Sequence, residues 1–107
     1  MKIKIASLFI VLIVSACGGT KNFSSNEELV LGKEKYKIFC VACHGLDGKL
    51  GINGSTNLTK SISGLKSRIK TIREGKGMMT PFKSILSAEE IEAVAKYTIQ
   101  LRKESKK

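Results

Sequence analysis

The sequence predicts a small all-α domain with three main helices. Three segments of the 107-residue chain carry apolar residues at helical spacing, and no segment shows the alternation typical of a half-buried strand. Long segments rich in Gly, Asn and Ser separate the helices, and loops of that length in a compact domain are usually functional. A domain this small buries little apolar surface unaided, which favours a stabilising cofactor, metal or disulfide.

The N-terminal residues are predicted to be an export signal. Lys2 and Lys4 precede an apolar run from Ile5 to Val14, which is too short to span a bilayer. The small residues that follow end in Cys17, and this segment resembles a bacterial lipobox. We expect a lipoprotein signal peptide over residues 1–16, with Cys17 lipidated and anchoring the protein to a bacterial membrane. Ordinary cleavage that leaves a free thiol is the alternative.

Residues 17–26 are rich in Gly, Ser and Asn and predict a flexible tether, followed by a folded domain over residues 27–107. Loss of Lys2 and Lys4 with the signal lowers the formal net charge from +10 to +8. The basic residues are spread along the chain rather than interleaved with aromatic residues, so nucleic acid is a poor candidate partner. The charge instead suits an acidic protein partner or an anionic membrane surface.

The first predicted helix runs from about Glu27 to Val41, with Ser25 or Asn26 as its N-cap. Gly32 lies on its apolar face and costs about 1 kcal/mol relative to alanine, so we expect another helix to approach closely there. The other members of that face are Leu29, Tyr36 and Phe39.

The second predicted helix runs from about Gly64 to Glu74 and ends at Gly75. The third begins with a predicted capping box of Ser87 and Glu90 and continues to about residue 104. Its apolar side is formed by Ile91, Val94, Ala95, Thr98 and Leu101, with Tyr97 at the border.

The segment Cys40-Val-Ala-Cys43-His44 allows three kinds of site. A thioredoxin-type dithiol needs a strand before the motif, and none is predicted here. A structural zinc ion needs four ligands, whereas the motif supplies three and His44 is the only histidine. Covalent haem attachment needs only what is present: thioethers from Cys40 and Cys43, with His44 as the proximal iron ligand. We therefore favour one haem c.

Four segments then make the chain resemble the class I bacterial cytochromes c over about Leu29 to Leu101. They are LGKEKYKIFCVACHG (31–45), TNLT (56–59), GKGMMTPF (75–82) and LSAEEIEAVAKY (86–97). The resemblance implies that the first and last helices cross at Gly32 and that a methionine supplies the second axial ligand. In this family a phenylalanine follows the ligand methionine after three positions, which selects Met79 over Met78. At the position of Thr56 the family usually has a proline, and the carbonyl of that proline accepts the ring N–H of the proximal histidine. Threonine keeps the carbonyl but lacks the fixed φ of proline. We therefore expect the orientation of His44 to be held less tightly.

The resemblance implies an electron carrier rather than an enzyme. Axial ligation by His44 and Met79 leaves no open iron position, so the expected function is single-electron transfer between respiratory redox proteins. A terminal oxidase, a quinol-oxidising complex and a periplasmic reductase are all possible partners. The domain would face the periplasm or the cell exterior. The alternatives are a haem-based domain in which Met79 dissociates to admit a small ligand, and a lipoprotein with a zinc or dithiol site.

Overall fold

The computed structural model describes residues 21–107, and within them four helices form a single all-helical domain. Helix α1 is Ser25–Phe39, α2 is Val41–His44, α3 is Leu65–Glu74 and α4 is Ala88–Glu104. This range contains no strand, only an isolated bridge between Lys76 and Met79. The all-α prediction is confirmed. The predicted signal peptide, Cys17 and most of the predicted tether lie outside the described residues.

Helix α1 begins and ends two residues earlier than the predicted range of about Glu27 to Val41. Its N-cap is Ser24, whose Oγ accepts from the Glu27 amide at 3.3 Å while the Ser24 amide donates to Glu27 Oε2 at 2.9 Å. The prediction of Ser25 or Asn26 was wrong: Glu27 closes the capping box on Ser24, whereas Glu28, three residues after Ser25, pairs with Lys96 on α4 at 2.7 Å. The helix ends at Phe39, since Cys40 has a φ of −114° and the chain restarts as α2.

The other two predicted helices agree closely with the structure. Gly64 is the N-cap of α3 and Gly75 is its C-cap, as expected. At the start of α4, Ser87 Oγ accepts from the Glu90 amide at 3.1 Å, which is half of the predicted capping box. The second half was wrong: the Glu90 carboxylate lies 3.4 Å from Lys35 Nζ on α1 and ties the two helices together.

Helices α1 and α4 cross at Gly32, as the sequence predicts. A Cβ at this position would overlap the carbonyl oxygen of Ala93 and lie 3.0 Å from Tyr97 Cβ. Beside the crossing, Tyr36 is fully buried and its ring meets that of Tyr97 edge-on, with centroids 5.2 Å apart. Glycine is needed on α1 because the backbones approach too closely for any side chain.

The core lies where α1 and α3 pack against α4, and it continues into the segment that follows α3. Phe82 of that segment is buried, and its ring meets Phe39 of α1 edge-on at 5.9 Å. The remaining buried apolar residues are Tyr36, Cys40, Ile72, Leu86, Ile91, Val94, Ala95 and Leu101. Because Cys40 belongs to this core, the haem motif has a rigid base. No helix within residues 21–107 has the length and apolar character needed to cross a membrane.

Candidate functional site

A cleft of about 430 Å³ opens beside α2, and a smaller inner compartment of about 140 Å³ adjoins it. The outer cleft has Cys43, Phe39 and Phe82 among its walls. The inner compartment reaches Tyr36, Val94 and other residues between α1, α3 and α4. The residues that line both spaces are Cys40, His44, Thr56, Thr71, Lys76 and Met79. The cleft therefore gathers the motif and the methionine segment, which lie far apart in the sequence.

The turn from α1 into α2 brings both motif cysteines to the cleft. The Cys43 and His44 amides donate to the Cys40 carbonyl at 3.3 and 2.9 Å, which makes the motif a single helical turn. Cys40 is buried, Cys43 is half-buried, and both are free thiols. Two thiols on one turn beside one cavity can both reach a ligand in it.

The environment of Cys40 disfavours a redox dithiol. Burial, followed by the negative charge on a Cys43 thiolate, raises the pKa of Cys40 to about 12. Thiol–disulfide exchange needs a thiolate, so a buried thiol with this pKa is a poor nucleophile near neutral pH. Within residues 21–107, no three His, Cys, Asp or Glu side chains come together as a metal-binding group.

The imidazole of His44 is oriented by one hydrogen bond. Its Nδ1–H donates to the Thr56 carbonyl at 3.1 Å, and because a carbonyl can only accept, Nδ1 carries the proton. The Nε2 lone pair is then free for a metal. Burial lowers the His44 pKa, and the bond to Thr56 acts in the opposite direction. Both the tautomer and the neutral state suit an iron ligand.

Threonine at position 56 forms this bond without the backbone restriction that proline would provide. The segments on both sides of Thr56 are held by their own hydrogen bonds. Ser55 Oγ donates to the Ile52 carbonyl at 2.5 Å, and the Leu58 amide donates to the Gly48 carbonyl at 2.9 Å. These contacts restrain the backbone on both sides of Thr56 and so hold its carbonyl in position.

The methionine segment turns back onto α3 immediately after Gly75. Gly75 has a φ of +74°, and a Cβ there would lie 2.5 Å from the Met79 carbonyl oxygen. The Met79 amide donates to the Lys76 carbonyl at 3.0 Å, and the Phe82 amide donates to the Ile72 carbonyl at 2.9 Å. The tight turn depends on glycine because an L-residue would be strained and crowded.

The two methionines differ sharply in position. Met78 is 79% exposed and lines only the outer cleft. Met79 is half-buried, packs against the core and lines both the cleft and the inner compartment beside His44. Both methionines share the outer cleft with His44, but only Met79 also lines the inner compartment with it.

Three side chains of this site were missed at the sequence level: Arg68, Thr71 and Lys76. Arg68 and Thr71 line the inner compartment from α3. The signal for Arg68 was available, since it follows Leu65 by three positions and precedes Ile72 by four, on the buried face of the helix. Nothing in the sequence pointed to Lys76, since its position beside the cleft depends on the turn that follows α3.

The residues around this cleft fit a covalently held haem. They offer two thiols on one turn, a neutral imidazole with a free Nε2, and a thioether on the methionine segment. Edge-on aromatic rings form an apolar wall, and the cavity is within the usual size range for cofactor sites.

Comparison with known families identifies this arrangement. Residues 27–97, about two thirds of the chain, match the sequence model of the family described as "Cytochrome C oxidase, cbb3-type, subunit III". The chain belongs to this family. The cytochrome c domain of this family binds haem c, so the family implies haem-based electron transfer. The search of curated proteins found no match.

Proposed function

We propose that the protein is a monohaem cytochrome c that carries single electrons between respiratory redox proteins while tethered to a bacterial membrane. The observation that carries this proposal is the meeting of Cys40, Cys43, His44 and Met79 at one cleft. The chain contains one Cys-x-x-Cys-His motif, which corresponds to one haem. Bound haem supplies one-electron chemistry through its iron.

Each side chain has a separate task in this proposal. Cys40 and Cys43 form the thioethers that hold the ring edge, and His44 and Met79 are the two axial ligands. The Thr56 carbonyl keeps His44 in the Nδ1–H tautomer. Because both axial positions are taken by the chain's own side chains, electron carriage is favoured over binding of an exogenous ligand.

The surroundings of the cleft favour the reduced state. Methionine ligation and an apolar environment both raise the potential of a c-type haem. Phe39 and Phe82 keep water from one side of the site, while Tyr36 and Val94 close the inner compartment. Because Cys40 is buried in the core, the haem edge attached to it is held in a fixed position.

A terminal oxidase is the first candidate partner, because the family is described as an oxidase subunit. A quinol-oxidising complex or a periplasmic reductase would be consistent with the same chemistry. Lys76 lines the cleft, and an acidic docking surface on the partner would be attracted by such charges, which raises the association rate more than the affinity. We further propose that the signal peptide covers residues 1–16, that Cys17 carries the lipid, and that the domain faces the periplasm or cell exterior.

The ferric absorption spectrum tests the axial ligation that defines the carrier. A methionine thioether on ferric haem gives a weak sulfur-to-iron charge-transfer band. We expect this band in the purified ferric holoprotein, and we expect it to persist in the presence of excess imidazole. Ready loss of the band at low imidazole would instead indicate a domain whose methionine dissociates to admit ligands.

A further inference from the structure

Arg68 is a buried guanidinium at the inner end of the cleft. Arg68 is only 6% exposed, and its Nη1 donates to Thr98 Oγ1 on α4 at 2.9 Å. The other nitrogens face the loop that precedes α3. Nε donates to the Ser63 carbonyl at 2.9 Å, and Nη2 donates to the Ser61 carbonyl at 2.9 Å and to the Leu58 carbonyl at 3.5 Å.

The positive charge of Arg68 has no carboxylate partner within residues 21–107. The ion pairs there are Lys35–Glu90, Arg73–Glu74, Lys96–Glu28 and Lys96–Glu92. A charge of the same sign lies close by, since Arg102 Nη1 donates to the same Ser61 carbonyl at 3.0 Å. Burial first, and then the charge of Arg102, lower the pKa of Arg68, although a guanidinium stays protonated in proteins. A buried charge without a counter-ion is costly.

The position of Arg68 indicates where a counter-ion would lie. Arg68 lines the inner compartment together with His44 and Met79, and its partners Ser61, Ser63, Leu58 and Thr98 line the same space. These acceptors account for four of its five N–H groups, which leaves one Nη1–H directed at no acceptor among the described residues. One carboxylate oxygen could accept from this remaining N–H and neutralise the charge, so the compartment suits a carboxylate.

We propose that Arg68 binds a carboxylate at the edge of the bound haem, one of its two propionates. This inference rests on the proposed function, and it assigns to Arg68 two effects. The hydrogen bond fixes the rotation of the ring in the cleft. The positive charge disfavours the ferric state and raises the reduction potential.

Redox titration of the holoprotein and of two Arg68 variants tests the effect of the charge. In Arg68→Gln, the ferric-to-ferrous ratio at a fixed ambient potential should rise about tenfold, as expected for the loss of one nearby charge. For a one-electron couple, a tenfold change lowers the potential by about 59 mV. Arg68→Lys should recover most of this shift because it keeps the charge.

Arg102→Gln is the matched control for the Arg68 variants. It removes a guanidinium from the same Ser61 carbonyl, but Arg102 does not line the inner compartment. Its effect on the ferric-to-ferrous ratio should be less than half that of Arg68→Gln. A free anion in the compartment, rather than a propionate, would make the wild-type potential vary with phosphate concentration at constant ionic strength; we expect no such variation.

Other results would overturn the proposal. If Arg68→Gln lowers the unfolding temperature but leaves the potential and the propionate bending band in resonance Raman unchanged, Arg68 only ties the loop to α4. A crystal structure of the wild-type holoprotein decides the point even if the variants do not fold. We expect a propionate oxygen within hydrogen-bond distance of Arg68. A structure in which both propionates lie in solvent or bind Lys76 would refute the proposal. Absence of haem from the wild-type protein would instead refute the proposed function.

Discussion

Replacing Gly32 with alanine should destabilise the protein by about 1–2 kcal/mol, although alanine is the better helix former. The new Cβ would overlap the Ala93 carbonyl oxygen, a backbone atom that cannot move away by changing rotamer. Overpacking costs about 1–3 kcal/mol, and a clash with a backbone atom belongs to the upper part of that range, about 2–3 kcal/mol. The gain in helix propensity is only about 1 kcal/mol. The helices α1 and α4 would have to separate, which would also loosen the packing of Tyr36 against Tyr97.

Urea unfolding of the holoprotein, followed by far-ultraviolet circular dichroism, measures this effect. With a slope of about 2 kcal/mol per molar urea, the middle of the range for small proteins, the midpoint should fall by roughly 0.5–1 M. Gly64→Ala is a matched control, because Gly64 has a φ of −76° and a Cβ there meets nothing within 4 Å. Its stability should stay within about 0.5 kcal/mol of wild type. A Gly32→Ala protein as stable as wild type would refute the close crossing of α1 and α4.

Three further predictions concern the ligands, the haem turn and the anchor. Met79→Ala should abolish the ferric charge-transfer band while Met78→Ala retains it; the reverse would assign the ligand to Met78. Tyr36→Phe should lower stability by about 0.5–1.5 kcal/mol in the same urea assay, because it removes the 2.5 Å hydrogen bond from the Tyr36 hydroxyl to the Gly45 carbonyl, which keeps only its 3.2 Å bond from the Gly48 amide. An unchanged midpoint would show that the bond from the Tyr36 hydroxyl adds no net stability. Cys17→Ser should move the protein from the membrane to the soluble fraction; continued membrane association would contradict lipidation.

The sequence was sufficient for features that depend on local spacing. A glycine on the apolar face of a helix indicates a close neighbour, so the pattern predicted a close approach at Gly32, and the resemblance to class I cytochromes c implied that the neighbour is the last helix. Gly75 likewise predicted the end of α3. The Glu27 side chain could have identified Ser24 as the N-cap, but several polar residues near the helix start competed for that position.

Features that depend on tertiary contacts were harder to predict. The Glu90 carboxylate is drawn to Lys35 on another helix, which no local pattern shows. The burial of Arg68 could be inferred from its helical position, but its ring of carbonyl acceptors comes from how the loop folds over α3. The choice of Met79 over Met78 came from the family's spacing to Phe82, since no local pattern separates two neighbours in one short segment. Their different burial depends on the turn after Gly75.

The pyridine haemochrome spectrum of the protein tests the central claim most directly. The protein should be expressed in cells that attach haem c, purified, and compared with a variant in which Cys40 and Cys43 are both serine. We predict a c-type haemochrome at one haem per chain for the wild-type protein, retained after acid-acetone extraction, and none for the variant. A wild-type protein that carries no haem, or that loses all of it on extraction, would contradict covalent attachment at Cys40 and Cys43.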